Sequence, residues 1–452
     1  MQQLNLGMVG GGTVGSGAFH ALQRNGPLLA SRIGVKINVQ KIAVKAFDEP
    51  RPYEIPRKLM TTGWQEVVND PQVHVVTELV GGTGIAKTIV LAALKLGKPV
   101  ITANKALLSA HGEELFAAAK KSGANLYYEA SVCGGIPIIK ALREGFVGNR
   151  INALYGIVNG TCNYILTRMK LEGASFDAVL KDAQAQGYAE TPPDLDIDGW
   201  DAQHKIGILA SLAHGFWVKP KQVYVEGIRH LSALDIQFAG QLGYTIKLLG
   251  IIKRIEGRGP RVAARHGRRS QIPNRKSQIQ VSVYPTLIPN THVLASVNHV
   301  FNAVFVRGDV VGDTLFYGRG AGQDATASAV LSDLADAVLD LKFGNKHRLP
   351  PFVACERNGC VVPMDEIVSR YFVRLNVVDK PGVMAKITAI LGAAKIGIAS
   401  VIQPEGHVGE SVPLILMLHE ATNGAVTKAL AKIGKLPVVK AKPVMIRVEN
   451  FA

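Results

Sequence analysis

The sequence predicts an α/β protein with a doubly wound parallel sheet at its start and a smaller, ferredoxin-like βαββαβ domain at its end. The first part is predicted by the apolar segment 4–9, which leads into a glycine-rich turn and a helix, and by strand–helix alternation up to about residue 129. The last part is predicted by a strand and helix succession over residues 371–448. From about residue 130, mixed helices and strands indicate a separate α+β domain for the substrate.

The glycine-rich turn has the G-x-G-x-x-G spacing, with a strand before it and a helix after it. Glycines there allow a tight turn and a close approach to a pyrophosphate, and the helix N–H groups point at the negative charge. We therefore expect a Rossmann-type domain whose turn contacts the cofactor through Gly10, Gly12, Thr13, Val14 and Gly15.

The end of the second strand bears on the choice of cofactor. NAD-preferring sites usually place an acid there, whereas this strand ends at Lys45 and Asp48 comes three residues later. A cation suits a 2′-phosphate, so NADP(H) is favoured, with NAD(H) as the alternative. The structural alternative is that Lys45 is simply solvated.

Two lysines are candidates for catalysis. Lys105 follows the strand 99–102, and ligands of parallel sheets bind beyond the carboxyl ends of the strands. Lys205 lies four residues after Asp201, so the two share a helix face and the carboxylate can keep the ammonium charged. The alternatives are a solvated lysine at 105 and a surface ion pair at 201 and 205.

Composition predicts a globular protein. Of the 452 residues, 47% are hydrophobic and 19% are charged, and no apolar segment is long enough to span a membrane. No secretory signal is visible, and the four cysteines form neither a disulfide framework nor a zinc motif. We expect a cytoplasmic protein with reduced thiols.

The net charge of +16 is concentrated in one segment. Nine Lys or Arg against one acid occur between positions 253 and 276, a net charge of +8. The segment 253–278 is interpreted as a basic loop insertion, with an arm for an acidic partner as the alternative. It lacks interleaved aromatic residues and any known DNA-reading motif, so nucleic acid is not an expected partner.

Long motifs support a family resemblance over nearly the whole chain. They are GMVGGGTVGSG at 7–17, ELVGG at 78–82, GKPVITANKALLSAHG at 97–112, EASVCGGIPII at 129–139, GIVNGTCNYILTRM at 156–169, GYAETPPDLDIDGWDAQHK at 187–205, ASVNHVFNAVFVRGD at 295–309 and YGRGAG at 317–322. In these motifs the sequence closely resembles homoserine dehydrogenase.

The resemblance implies NAD(P)H-dependent, reversible reduction of L-aspartate 4-semialdehyde to L-homoserine in threonine, methionine and isoleucine biosynthesis. Lys205 resembles the family's proton-donating lysine, with Asp201 beside it. Lys105 resembles the lysine near the nicotinamide and the reacting carbonyl. Glu190 matches the glutamate that holds the substrate's amino group, and Asp196 is expected to assist it.

The resemblance also implies a sodium site and further cofactor contacts. The sodium ligands would be the Glu129 carboxylate and backbone carbonyl groups of Val132, Gly134 and Ile136. Gly320 and Gly322 match a turn that approaches the cofactor. One departure is Ala325, where the family commonly has proline.

The last segment resembles an ACT domain, a regulatory domain that often binds amino acids. Threonine is the effector implied by the family. Because ACT domains leave sheet edges that pair with another copy, a homodimer or homotetramer is expected.

The patterns and the resemblance together give a domain division. It comprises a dinucleotide-binding domain at 1–130 with a returning segment at 311–345, a substrate-binding and dimerisation domain at 131–310, a linker at 346–369 and the ACT domain at 370–452.

Two rival functions are considered. A 2-hydroxy-acid dehydrogenase with an ACT domain would use a histidine–acid pair and an arginine, and no such arrangement stands out. A non-catalytic amino-acid sensor would use the basic segment to bind nucleic acid.

Overall fold

In a computed structural model, the chain divides into two compact units. The structure describes residues 1–255, 277–344, 350–356, 358–404 and 411–451. The first unit comprises Met1–Leu154, His204–Lys221 and Asn302–Gly359, and the second comprises Tyr155–Gln203, Gln222–Phe301 and Cys360–Ala452. These limits differ from the predicted domain boundaries, because the first unit continues past residue 130 and the C-terminal domain groups with the second unit. Most of the predicted basic insertion, 256–276, lies outside the described residues, as do residue 345 of the predicted returning segment and residues 346–349 and 357 of the predicted linker.

The first unit contains a parallel sheet of six strands in the order β3-β2-β1-β4-β5-β6. Its strands are β1 (Gln2–Val9), β2 (Val35–Ala43), β3 (Met60–Thr61), β4 (Val75–Glu78), β5 (Val100–Thr102) and β6 (Leu126–Tyr127). The intervening helices are α1 (Thr13–Ile33), α2 (Trp64–Val68), α3 (Gly84–Lys95) and α4 (Lys105–Ser122). This order is typical of dinucleotide-binding folds, which confirms the predicted parallel sheet.

The sequence patterns predict helices over about residues 14–24 and 112–122, and both helices are longer in the structure. Helix α1, expected to end near Arg24, continues past Pro27 to a glycine cap at Gly34. Burial of Ala30 and Ile33 in the apolar core accounts for the extension. Helix α4 begins seven residues before the expected Gly112, because Asn104 caps it.

A helix late in the sequence completes the core of the first unit. Helix α11 (Gln323–Phe343) follows strands β11 (Phe301–Gly308) and β12 (Gly312–Arg319). Its buried residues, including Val330 and Leu334, share one apolar cluster with α1 and β1. Thus the segment after residue 320 packs on the dinucleotide-binding sheet.

Residues 138–361 supply further helices and strands. They are α5 (Ile138–Lys140), β7 (Ile151–Ile157), α6 (Gly160–Glu172), α7 (Phe176–Ala185), α8 (Asp194–Ile197), α9 (Trp200–His214), β8 (Tyr224–Val225), α10 (Ala233–Gln241), β9 (Tyr244–Arg254), β10 (Gln278–Pro289) and β13 (Cys360–Val361). The sequence pattern predicts a helix near 137–144, and the structure has α5 there, which continues directly as a π-helical turn over Ala141–Gly145. Strands β9 and β10 pair in antiparallel fashion along their lengths.

The C-terminal domain has the predicted βαββαβ succession. It consists of β14 (Val368–Val378), α12 (Val383–Ala393), β15 (Ile398–Ile402), β16 (Ser411–Thr422), α13 (Asn423–Ile433) and β17 (Val444–Val448). Its strands lie in the order β17-β14-β16-β15, and an apolar cluster fills the space beneath them.

Strand β17 joins this domain to the rest of the second unit by pairing in parallel with β10. Two ion pairs reinforce the junction: Arg374 with the buried Asp235, at 2.6 Å between Nε and Oδ1, and Arg447 with Glu226. Within the described residues, no helix is long and apolar enough to cross a membrane.

Candidate active site

The turn between β1 and α1 requires glycine at two positions. Gly10 has a φ of +108°, and a Cβ there would lie 2.5 Å from the Leu79 carbonyl carbon. A Cβ at Gly15 would lie 1.9 Å from the Gly10 carbonyl oxygen. A side chain at Gly10 or Gly15 would therefore collide with nearby backbone. A Cβ at Gly12, by contrast, would meet nothing within 4 Å. Gly12 therefore faces open space where a pyrophosphate can approach the backbone.

A cavity of about 400 Å³ opens beside this turn. It is lined by Gly10–Gly12, Lys45, Glu49, Trp64 and Ile85, among others. The first turn of α1 carries no acidic residue, so its N–H groups can attract an anion. The exposed Thr13 and partly buried Val14 begin that helix. The turn thus combines a cavity, free space at Gly12 and a helix N-terminus.

Lys45 is exposed and lines the cavity just after β2. The acid in the same lining is Glu49. Between them in sequence, Phe47 has the Arg57 guanidinium 3.3 Å from the centre of its ring. The segment that follows β2 therefore presents both a cation, Lys45, and an acid, Glu49, to the cavity.

A buried glutamate organises the loops after β4 and β5, although the sequence patterns did not single it out. Glu78 ends β4 and is fully buried. Its Oε1 accepts hydrogen bonds from the Val80 and Gly81 N–H groups, and its Oε2 accepts one of 2.6 Å from the Thr102 hydroxyl. A carboxylate that ends a buried apolar strand before two glycines is the sequence signal for this role.

The same network places Lys105. The Thr102 Oγ1 accepts a hydrogen bond from the Asn104 N–H, and the Asn104 side-chain amide donates to the Gly82 carbonyl at 2.7 Å. The Asn104 Oδ1 caps α4 by accepting from the Leu107 N–H. Lys105 is the first residue of α4 and is partly buried, so its backbone is fixed at the carboxyl end of β5.

Glu129 is the buried carboxylate of the predicted cation site. Its two oxygens accept hydrogen bonds from the Ile139 and Lys140 N–H groups. Its own N–H donates to the Asp333 carboxylate at 2.8 Å. Burial raises the pKa of Glu129 to about 7, and burial together with Glu129 raises the pKa of Asp333.

The other predicted cation ligands lie in the loop after Glu129. Val132, Gly134 and Ile136 are all buried, and Cys133 between them has a φ of +50°. Each carboxylate or carbonyl oxygen has two lone pairs, so one hydrogen bond leaves room for a cation. This all-oxygen donor set fits a hard cation. Within the described residues, no cluster of three or more His, Cys, Asp or Glu side chains could hold a metal ion.

The structure brings the predicted cofactor turn at Gly320 next to this loop. The Gly134 N–H donates to the Gly320 carbonyl, and the Gly135 N–H donates to the Arg319 carbonyl, both at 2.9 Å. A Cβ at Gly320 would lie 1.8 Å from the Asn302 amide nitrogen. Gly322 begins α11 with a φ of +108°. The two predicted sites are therefore neighbours in the first unit.

In the second unit, the structure brings two predicted acids together. Asp196 in α8 is partly buried and Asp201 in α9 is buried. The side-chain amide of Asn159 donates to both, at 2.8 Å to Asp196 Oδ1 and 2.9 Å to Asp201 Oδ2. Asn159 was not singled out in the sequence, although its place in the NGTCNYI motif before a helix is the available signal.

Glu190 and Lys205 differ in exposure. Glu190 is exposed in the loop between α7 and α8, where its carbonyl accepts a hydrogen bond of 3.2 Å from the Gln184 side chain. Lys205 is buried in α9, one turn after Asp201. Residues four apart share a helix face, so the alternative of an ordinary surface ion pair does not fit two buried side chains.

Comparisons with known proteins identify the family of this chain. Residues 10–129 match the model described as "Homoserine dehydrogenase, NAD binding domain", and residues 137–335 match "Homoserine dehydrogenase". The homoserine dehydrogenases of Pseudomonas aeruginosa and Neisseria gonorrhoeae are each 40% identical to this chain, with 100% of both chains covered.

Solved structures give the same result. The crystal structure of a homoserine dehydrogenase from Thiobacillus denitrificans has a TM-score of 0.89 and 41% identity, covering 100% of this chain and 99% of that chain. A hyperthermophilic archaeal homoserine dehydrogenase in complex with NADPH has a TM-score of 0.59 and 26% identity, covering 75% of this chain and 98% of that chain. The chain therefore belongs to the homoserine dehydrogenase family, the NAD(P)-dependent oxidoreductases that act on a CH–OH group.

Proposed function

We propose that the protein reduces L-aspartate 4-semialdehyde to L-homoserine reversibly, as a step in threonine, methionine and isoleucine biosynthesis. The observation that carries this proposal is the burial of Lys205 one helical turn after the buried Asp201. A lysine beside a carboxylate is suited to polarise an aldehyde and to protonate the alkoxide that forms on reduction. The reduced nicotinamide supplies the hydride when it is bound.

Lys205 is the proposed general acid, and Asp201 favours its charged form. In the reverse direction, Lys205 accepts the proton of the homoserine hydroxyl. Lys105 adds positive charge at the carboxyl end of β5, where it also contacts the cofactor. These charges act on the oxygen whose negative charge grows as the carbonyl is reduced.

Glu190 and Asp196 are the proposed ligands of the substrate's ammonium group. Two acids near one cation fix the amino end of the substrate and so reduce the freedom of the aldehyde. The amide of Asn159 holds the Asp196 carboxylate at 2.8 Å, which supports this role for Asp196. For Glu190, the support is its match to the family motif.

NADP(H) is the proposed cofactor, held by Gly10, Gly12, Thr13, Val14 and Gly15 and by the turn containing Gly320 and Gly322. Lys45 at the cavity is suited to bind a 2′-phosphate. Support also comes from the archaeal relative in complex with NADPH. NAD(H) is the second candidate because Glu49 in the same lining can accept hydrogen bonds from ribose hydroxyls.

A sodium ion is proposed to bind Glu129 and the carbonyl oxygens of Val132, Gly134 and Ile136. The ion would neutralise part of the negative charge of Glu129 and Asp333. It would also hold the loop 132–136 next to Gly320. Replacing NaCl with choline chloride at constant ionic strength is expected to lower activity. Equal activity in the two salts would exclude a role for the cation.

The C-terminal domain is proposed to be an ACT domain that binds threonine as a feedback inhibitor. The βαββαβ topology and the strand order support it. The exposed edge strand β15 supports a homodimer or homotetramer. Inhibition of the full chain by threonine, but not by its D-enantiomer, is the expected result, and the absence of inhibition would remove the proposal.

The test of the activity is spectrophotometric. NADPH absorbance at 340 nm is expected to fall only when the semialdehyde is added, and NADP⁺ is expected to be reduced when L-homoserine is added. A 2-hydroxy acid such as lactate serves as the control substrate. Turnover of the 2-hydroxy acid in place of homoserine would overturn the assignment.

A further inference from the structure

The residue that joins the candidate acids is Asn159, at the junction of β7 and α6. It has extended backbone angles and is 5% exposed. Its side-chain oxygen accepts a hydrogen bond of 2.8 Å from the Cys162 N–H and so caps α6. This bond identifies the oxygen end of the side chain, because an amide NH₂ cannot accept from an N–H.

With the oxygen fixed, the NH₂ group must face the two acids. One N–H is directed to Asp196 Oδ1 and the other to Asp201 Oδ2, so both donors of the amide have charged acceptors. Two carboxylates held near one another would otherwise repel, and one of them would tend to take up a proton. A shared donor stabilises the ionised form of both.

We propose that Asn159 is a positioning residue that fixes Asp196 and Asp201 relative to each other, and this inference rests on the proposed function. Asp196 is the proposed ligand of the substrate's ammonium group, and Asp201 is the proposed partner of Lys205. One amide therefore couples the place where the substrate is held to the place where the proton is transferred.

Neighbouring bonds strengthen the arrangement. The Thr161 hydroxyl donates to the Tyr188 carbonyl at 2.6 Å and lies 3.2 Å from Asp196 Oδ2. Asp194, which begins the same short helix as Asp196, and Asp198, which follows that helix, both pair with Arg229. Those two acids pair with a cation, whereas Asp196 accepts hydrogen bonds from the side chains of Asn159 and Thr161.

The decisive variant is Asn159→Asp. Aspartate also caps helices well, so the bond to the Cys162 N–H is retained while both donors to Asp196 and Asp201 are lost. Hydrogen bonds to charged groups have the larger effects, so kcat/KM for L-homoserine is expected to fall about 10- to 100-fold. We expect this fall to come from both a higher KM for homoserine and a lower kcat. The KM for NADP⁺ is expected to stay unchanged.

The control is Ser175→Ala, which removes the cap of the neighbouring helix α7, where the Ser175 hydroxyl oxygen accepts from the Ala178 N–H. This variant is expected to keep wild-type kinetics. Urea unfolding of both variants reports any loss of stability. If Asn159→Asp lowers only the unfolding midpoint and leaves both kinetic constants for homoserine unchanged, the role of Asn159 is structural and the inference is wrong.

The proposed function and this inference fail in different ways. If the wild-type protein does not oxidise homoserine, the proposed function fails, and if Lys205→Met is as active as the wild type, the proposed role of Lys205 fails. If the wild type is active and Lys205→Met is not, while Asn159→Asp and Asn159→Ser both match the wild type, only the role of Asn159 fails. Asn159→Ser tests the loss of the donors without adding a third carboxylate.

Discussion

The Thr102 hydroxyl donates a hydrogen bond of 2.6 Å to the fully buried carboxylate of Glu78. This bond joins the ends of β4 and β5, and the network continues through Asn104 to the start of α4. The start of α4, which carries Lys105, is therefore held in place by Glu78, a side chain that need not contact any substrate.

Glu78→Gln is expected to lower the free energy of unfolding by about 1–3 kcal/mol and to raise the KM for the cofactor. An amide has one acceptor oxygen, so either the backbone N–H groups of Val80 and Gly81 or the buried Thr102 hydroxyl lose their acceptor. The control is Glu66→Gln, because Glu66 also accepts a 2.6 Å bond from a threonine hydroxyl but is exposed. Equal effects of the two substitutions in urea unfolding would contradict the proposed network.

Gly12→Ala is expected to separate cofactor binding from folding. Its Cβ meets nothing within 4 Å, so unfolding stays unchanged, but the added methyl occupies the space through which a pyrophosphate reaches the backbone. The KM for NADP⁺ should rise roughly 10-fold or more. Gly26→Ala, also with open space, is the control and should leave this KM unchanged. Unaltered cofactor binding by Gly12→Ala would place the pyrophosphate elsewhere.

Lys45→Ala is expected to lower kcat/KM with NADP⁺ by about 10-fold and to change kcat/KM with NAD⁺ little. The reason is the loss of a charged contact to the 2′-phosphate. Lys41→Ala, in β2 and paired with Glu66, is the control. Steady-state kinetics with both cofactors check the result. A parallel fall with both cofactors would show that Lys45 does not read the 2′-phosphate.

Lys247 should make stability rise with pH. Lys247 is 1% exposed, and its ammonium donates hydrogen bonds to the neutral side-chain oxygens of Asn163 and Asn298. Burial lowers the pKa of Lys247 from 10.5 to about 7. Between these values the unfolded chain binds more protons than the folded chain, so the free energy of unfolding increases with pH over this window.

Lys247→Met lacks this titration. The wild-type free energy of unfolding, measured relative to that of Lys247→Met in urea, should increase by about 2 kcal/mol from pH 7 to pH 9. A difference that is constant over this range would show that Lys247 stays charged in the folded protein.

The first sheet could be predicted from the sequence because the patterns that indicate it are local. The G-x-G-x-x-G turn and the apolar strands each lie within a short segment, and the glycine contacts at Gly10 and Gly15 confirm the reason for the pattern. The end of α1 was wrong because the Asn-Gly-Pro sequence at 25–27 signals a break locally, whereas packing of Ala30 and Ile33 continues the helix.

The roles of Asn159 and Glu78 could not be predicted, because their hydrogen-bond partners are distant in sequence. Asn159 bonds to acids 37 and 42 residues away, and Glu78 bonds to a hydroxyl 24 residues away. Spacing within a motif carries no information about such contacts. By contrast, Asp201 and Lys205 are four residues apart on one helix, so their shared face could be predicted.

The central claim is that Lys205 transfers the proton in homoserine oxidation and semialdehyde reduction. Lys205→Met, which keeps much of the apolar stem, should lower kcat about 10²- to 10⁴-fold in both directions and leave the Kd for NADPH, measured by fluorescence titration, within about 2-fold of the wild type. Wild-type turnover in this variant would contradict the account.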